Sequence, residues 1–160
     1  MEERKVICYI KVAKYDELND KDKLLVDTAK KQTENAYAPY STFHVGAALE
    51  LDNDIIIGGN NQENAAYPSG LCAERVAMFY ANAQYPNTAV KTIAIAAYTK
   101  GEFLKKPITP CGSCRQVLLE TENRFEKDIT VFLDGQKYVY RLDKVKELLP
   151  LSFGKSNLLT

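Results

Sequence analysis

The chain has 160 residues, 46% of them hydrophobic and 26% charged. That is enough for one domain with a sizeable core and too few for two ordinary ones. Lys and Arg together number 21 and Asp and Glu 21, so the net charge is zero and there is no basic footprint for nucleic acid. The first residues, MEERKVICYIKVAKYDE, hold no uninterrupted apolar stretch of the signal-peptide kind, and no run approaches the length of a membrane span. The expectation is therefore a cytoplasmic chain with reduced thiols and no membrane partner.

In chain order, residues 4–12 partly alternate, with Val6, Cys8, Ile10 and Val12 on one face, which suits an added edge strand. Cys8 reads as a buried structural cysteine. From 20 to 36, Leu24, Leu25, Thr28, Ala29, Gln32 and Ala36 recur at helical spacings, with Asn19 or Asp20 as cap and Pro39 as stop. FHVGAALEL (43–51) and DIIIGGN (54–60) read as two strands joined by a short turn at Asp52-Asn53. GNNQENAAYPSG is a loop, and LCAERVAMFYANA a helix with Cys72 in its first turn. VKTIAIAAY (90–98) is apolar enough to be a central strand. CGSCRQVLLETEN opens another helix, and DITVFLDGQKYVYRL reads as two strands about an Asp134-Gly135 turn. DKVKELL is a last short helix stopped by Pro150. Helices alternating with strands give an α/β class, helices covering a mixed sheet, and place both cysteine motifs where a strand has ended and a helix begins.

Three of the four cysteines, Cys72, Cys111 and Cys114, fall in those motifs. A CxxC at a helix start supplies two thiolates favoured by the N-terminal amides, and Cys72 can supply a third. Three protein ligands on zinc leave a fourth position open, the pattern of a catalytic site, and Glu74 is close enough to serve it as acid and base without ligating. Three thiolates overcompensate a divalent ion by one charge, so Arg75 and Arg115, each directly after a ligand, are candidates to hydrogen-bond the sulfurs. Two other readings compete. A CxxC alone also fits a redox pair, and a structural zinc clip would need a fourth ligand. His44, the only histidine, sits on a strand and reads as a packing residue.

Cys72-Ala73-Glu74 with Pro110-Cys111-Gly112-Ser113-Cys114 resembles the signature of the zinc-dependent nucleoside deaminases. AYAPYSTFHVGAAL (36–49), NQENAAYPSGLCAER (61–75), PCGSCRQ and ELLPLSF (147–153) together are similar to the small homotetrameric cytidine deaminases. The resemblance implies a three-layer α-β-α fold with a central mixed five-stranded sheet, and a single domain over 1–160 with residues 1–20 as an extension. It also implies one zinc per subunit on Cys72, Cys111 and Cys114, and Glu74 as the catalytic acid/base. For the substrate it implies Asn61 and Glu63 on the ribose hydroxyl, Phe43 near the pyrimidine, Tyr67 in an inter-subunit loop, Ala73 reading the base through its backbone, and Phe153 reaching a neighbouring subunit's site. The implied activity is hydrolytic deamination of cytidine and deoxycytidine in pyrimidine salvage. The alternatives are a deaminase of a related nucleoside or base, or a non-enzymatic zinc domain. The chain departs from the family in its short, partly apolar tail GKSNLLT and its longer N-terminal segment.

Overall fold

The computed structural model describes residues 1–158. Its strands are β1 (Lys11–Ala13), β2 (His44–Leu51), β3 (Ile56–Asn60), β4 (Val90–Thr99), β5 (Glu102–Phe103), β6 (Thr130–Leu133) and β7 (Val139–Leu142); its helices are α1 (Asp20–Gln32), α2 (Ala73–Gln84) and α3 (Gly112–Phe125). The sheet runs β1-β7-β6-β4-β2-β3, with β5 beside the end of β4. Only β4 and β6 are parallel; every other pair is antiparallel, including β6 with β7. The five expected strands are β2, β3, β4, β6 and β7. Two short strands add to them: β1 at the edge, and β5, folded back by Lys100 and Gly101, whose φ values of 52° and 85° make a tight hairpin turn.

Side chains alternate across this sheet, so it has two apolar faces to cover. Leu25, Val26 and Ala29 of α1 pack with Ala48, Ala94, Ala96 and Phe132 on one. On the other, Ala73, Ala77, Met78 and Ala81 of α2 and Leu118 and Leu119 of α3 pack with Leu49, Ile93, Ile95 and Val131. The result is three layers, α-β-α. Gly59 lets α2 lie hard on β3: a Cβ there would stand 2.7 Å from Ala77 N and 2.8 Å from Ala73 O. That close approach seats the start of α2 against the sheet.

Several expectations differ locally. Asn19 caps α1, its side chain accepting from Asp22 N, but the helix stops at Gln32 and continues as a 3-10 turn, Thr33–Asn35. Its buried stripe is Leu25, Val26 and Ala29, while Leu24 is exposed, so the apolar face is turned by about one residue from the expected one. The β2–β3 hairpin closes over three residues, Asp52 to Asp54, with Asp54 left-handed at φ 62°. Asp134-Gly135 is not a two-residue turn. β6 and β7 are joined by residues 134–138, Asp134 is buried, and a Cβ on Gly135 would meet Pro107 N at 2.5 Å, so this glycine serves a close crossing of chain. The last helix is a 3-10 turn, Val145–Leu148. Cys8 is exposed, not buried, because the edge strand forms only over Lys11–Ala13 and the residues before it lie off the sheet. No helix among the described residues is long and apolar enough to cross a membrane.

Candidate metal centre and substrate pocket

α2 follows β3 and α3 follows β5, and the two helix starts come together, since the cysteines that begin them have their sulfurs in contact. Cys72 is the N-cap of α2 and Cys111 the N-cap of α3, and neither side chain caps its own helix, which leaves both sulfurs free to point outward. Cys114, one turn into α3, is buried beneath them. The sulfurs lie 3.8 Å apart for Cys72 and Cys111 and 3.5 Å for Cys111 and Cys114, and all three fall within 4.8 Å of one another. Tetrahedral thiolates on zinc at 2.3 Å are separated by about 3.8 Å, so this donor set fits zinc. All three cysteines are free. One residue of the trio comes from a different helix and the spacing is that of ligands, so the redox-pair reading is set aside.

Without metal, the thiols share charge unequally. Hydrogen bonding from Cys114, with help from Arg75 and Cys111, holds the Cys72 thiol down to about 5, while Cys114, beside Cys72 and buried, is pushed up. Arg75 donates to Cys72 Sγ at 3.6 Å and to Gly70 O at 3.5 Å. Arg115 differs from expectation. Its guanidinium is spent on two carbonyls, Pro110 O at 2.8 Å and Leu148 O at 3.0 Å, so it braces the loop before Cys111 rather than a sulfur. Glu74 is buried at 4% exposure in the first turn of α2. Burial pushes its carboxyl up, the charge of Cys72 adds to this, and the helix-start backbone and Arg75 oppose it.

These groups stand on the wall of a cavity of about 740 Å³ lined by Phe43, Asn61, Glu63, Tyr67, Cys72, Glu74, Arg75 and Cys111, with Ile95 and Ile108 as apolar floor. Its rim is tied together by the polar residues. Asn61 Oδ1 accepts from Val45 N at 2.7 Å and its Nδ2 donates to Phe43 O at 2.9 Å. Glu63 accepts from Tyr40 N at 2.9 Å, Ser41 N at 3.3 Å and the Ser41 hydroxyl, and these bonds hold its carboxyl below the usual range. Asn61 Oδ1 and Glu63 Oε1 each accept one bond and keep a lone pair for a ligand hydroxyl, whereas Glu63 Oε2 accepts two and is filled. Tyr67 is 81% exposed at the mouth. Ala73 is buried as the first residue of α2 and is not on the cavity wall. Phe153 is also off this chain's cavity, 57% exposed, its carbonyl accepting from Gln116 Nε2 at 3.0 Å on the outside of α3. The sequence reading missed Ser41 and Tyr40, which hold Glu63. The PYS triplet, a turn signal between a helix and a strand, was the available clue. His44 packs edge-on to Tyr98, ring centres 6.5 Å apart.

The family model described as the cytidine and deoxycytidylate deaminase zinc-binding region matches residues 19–127. A cytidine deaminase of Sporosarcina psychrophila is 40% identical over 139 residues, 87% of this chain and 95% of that one. One from Halalkalibacterium halodurans is 40% identical over 130 residues, 81% of this chain and 92% of that one. Among solved structures, a cytidine deaminase from Burkholderia pseudomallei superposes with a TM-score of 0.69 at 39% identity, covering 81% of this chain and 97% of that one. One from Mycobacterium tuberculosis gives 0.64 at 30% identity, covering 82% and 95%. With three thiols converged at two facing helix starts and a match across most of its length, the chain belongs to the zinc-binding cytidine and deoxycytidylate deaminase family.

Proposed function

We propose that this protein hydrolyses cytidine and deoxycytidine to uridine and deoxyuridine with release of ammonia, in pyrimidine salvage in the cytoplasm. The observation that carries the reading is the buried Glu74 beside three converged thiols on the wall of one cavity whose rim bears Asn61 and Glu63. Cys72, Cys111 and Cys114 hold the zinc, which when bound supplies a Lewis acid that makes water nucleophilic at neutral pH. Glu74 takes the proton from the water that attacks C4 of the ring and delivers it to N3. It then carries the second proton to the departing amino nitrogen, so one water is consumed and one ammonia leaves. Its burial excludes bulk water from that relay. Asn61 and Glu63 use their spare lone pairs and amide hydrogen on the ribose hydroxyl, and Phe43 and Ile108 supply an apolar wall for the pyrimidine. Arg75 offsets the surplus thiolate charge on Cys72.

The reading includes a homotetramer. Tyr67, Tyr80, Phe79 and Phe153 are exposed apolar side chains, and one chain leaves the cavity mouth uncovered at Tyr67; a neighbouring subunit bringing Phe153 would cover it. The test is ammonia release from a nucleoside panel by zinc-quantified protein. Cytidine and deoxycytidine are expected to react and adenosine and guanosine not to. Glu74→Gln is expected to keep its zinc and lose several orders of magnitude in kcat, about the scale of general acid–base catalysis combined with transition-state stabilisation. Near-normal turnover in that variant would overturn the assignment, as would full zinc occupancy in Cys114→Ala.

A further inference from the structure

The turn that leads into β2 carries backbone strain. Thr42 sits at φ 54°, and of the four non-glycine residues at positive φ among the described residues (Thr42, Asp54, Lys100 and Glu126) it alone is β-branched, the class least suited to that region. The strain is held from both sides: Thr42 N donates to Ala38 O at 3.0 Å, and Thr99 Oγ1, at the end of β4, donates to Thr42 O at 3.0 Å. Outliers of this kind persist where the surroundings over-determine them, often beside a site. Across this one, Ser41 Oγ accepts from Phe43 N at 3.0 Å and contacts Glu63 Oε1. The bonds to Glu63, that of Ser41 first, hold its carboxyl below the usual range. An ionised carboxylate only accepts, so the Ser41 proton points at Oε1. With Asn61 Nδ2 on Phe43 O at 2.9 Å, Glu63, Ser41, Phe43 and Asn61 form one closed ring around the rim.

We propose that Ser41 is a positioning residue that makes the sugar contact of Glu63 selective for a hydroxyl donor; the inference rests on the nucleoside reading above. Glu63 Oε2 is filled by Tyr40 N and Ser41 N, and the Ser41 proton takes one lone pair of Oε1. One lone pair is left. With Oε2 anchored and Oε1 pinned, its direction is set. It takes a proton and gives none, so the sugar group that meets it must donate. The ring hydroxyl that cytidine and deoxycytidine share is the 3′, and that is the group assigned here. An acceptor of the same size at that carbon would set its lone pairs against a carboxylate. Asn61 does not make this choice: the hydrogen left on its amide needs only an acceptor, which a hydroxyl and a fluorine both offer. Without the Ser41 hydroxyl, Oε1 loses the bond that aims it, and the demand for a donor relaxes.

The test is calorimetric binding to the full, zinc-loaded chain of uridine, which is not turned over, and of 3′-deoxy-3′-fluorouridine, which keeps the size of the hydroxyl and loses its proton. The native chain should prefer uridine by roughly 100-fold, the scale for a missing hydrogen bond to a charged group. Ser41→Ala should lose at least roughly tenfold of that preference, and Ser41→Thr, which restores the hydroxyl, should recover it. A general loosening of the wall would weaken both nucleosides alike and leave the ratio native, and that result would overturn the assignment, as would failure to bind either nucleoside. A chain that shows the expected ratios but releases no ammonia from cytidine fails the functional reading and not this one. A chain that deaminates cytidine with equal ratios in native and Ser41→Ala fails this inference alone.

Discussion

Cys72 is the residue on which the charge of the metal centre turns. Its thiol is held down to about 5, first by the hydrogen bond from Cys114 and then by Arg75, while Cys114 is pushed up, so metal displaces the proton of Cys72 more easily than that of Cys114. Replacing Arg75 by Gln removes the cation at 3.6 Å from Cys72 Sγ. Protons then compete better for that sulfur. Zinc release on acidification, followed with a colorimetric chelator, should move to higher pH, and affinity at pH 7 should fall about 10–100-fold, as for other groups hydrogen-bonded to metal ligands. An unchanged release profile would mean that the helix starts alone balance the surplus charge. Arg115→Gln should leave that profile closer to native, because its guanidinium is held by carbonyls and not by sulfur.

At the scale of elements, α3 does more than present two ligands. Its Arg115 and Gln116 hold Leu148 O and Phe153 O, and its Glu122 accepts from Ile129 N at 3.0 Å, Val145 N at 2.7 Å and Lys146 N at 3.2 Å. The helix that carries the metal site thus also fastens β6 and the C-terminal arm. Glu122→Ala strands these donors in a buried place and should cost about 3 kcal/mol, a fall of roughly 6–12 °C in Tm, readable by thermal denaturation with zinc bound. Which elements could be read in the sequence follows from the same forces. β2, β4, α2 and α3 stood out because their apolar runs are long and their neighbours are turn formers. The start of α1 was plain in Asn19, whereas its buried stripe was misjudged by a residue, since Leu24 and Leu25 are alike in sequence and only the sheet decides which faces inward. Asp134-Gly135 misled for a physical reason: the glycine is there to let residues 106–107 cross, a long-range demand that no local pattern records. The three converging thiols were legible because metal ligation fixes residue type and spacing together. Arg115 was assigned to the sulfurs because its carbonyl partners, Pro110 and Leu148, are brought near only by folding.

The whole molecule is closed at its N-terminal side by a small polar hub on the α1 face. Tyr15 donates to Asp27, Lys30 stands 4.6 Å over the Tyr15 ring, and Lys30 Nζ reaches the buried Asp134 at 3.2 Å. The hydrogen bond to Asp27 is the main cause that pushes the Tyr15 phenol up to about 12. The fold therefore favours the neutral phenol. That contribution is fully present below the ordinary phenol value of 10.0 and is lost as pH rises through about 12. Denaturant titrations of the native chain and Asp27→Asn should show a stability gap that is constant up to about pH 10 and closes toward pH 12. A gap independent of pH would mean that Asp27 acts by packing alone.

The rim of the cavity has a consequence for how this protein can change. Asn61 and Glu63 hold the walls in place through Phe43, Val45, Tyr40 and Ser41, and they are also the proposed contacts to the sugar. A substitution that altered the sugar accepted would loosen the wall at the same stroke. Drift in substrate range should instead enter through their neighbours Gln62 and Asn64, which line the same opening and whose side chains bond only locally, to the Asn60 side chain and to Ala66 N. Libraries built at those two positions should yield folded variants with altered preference far more often than libraries built at Asn61 and Glu63.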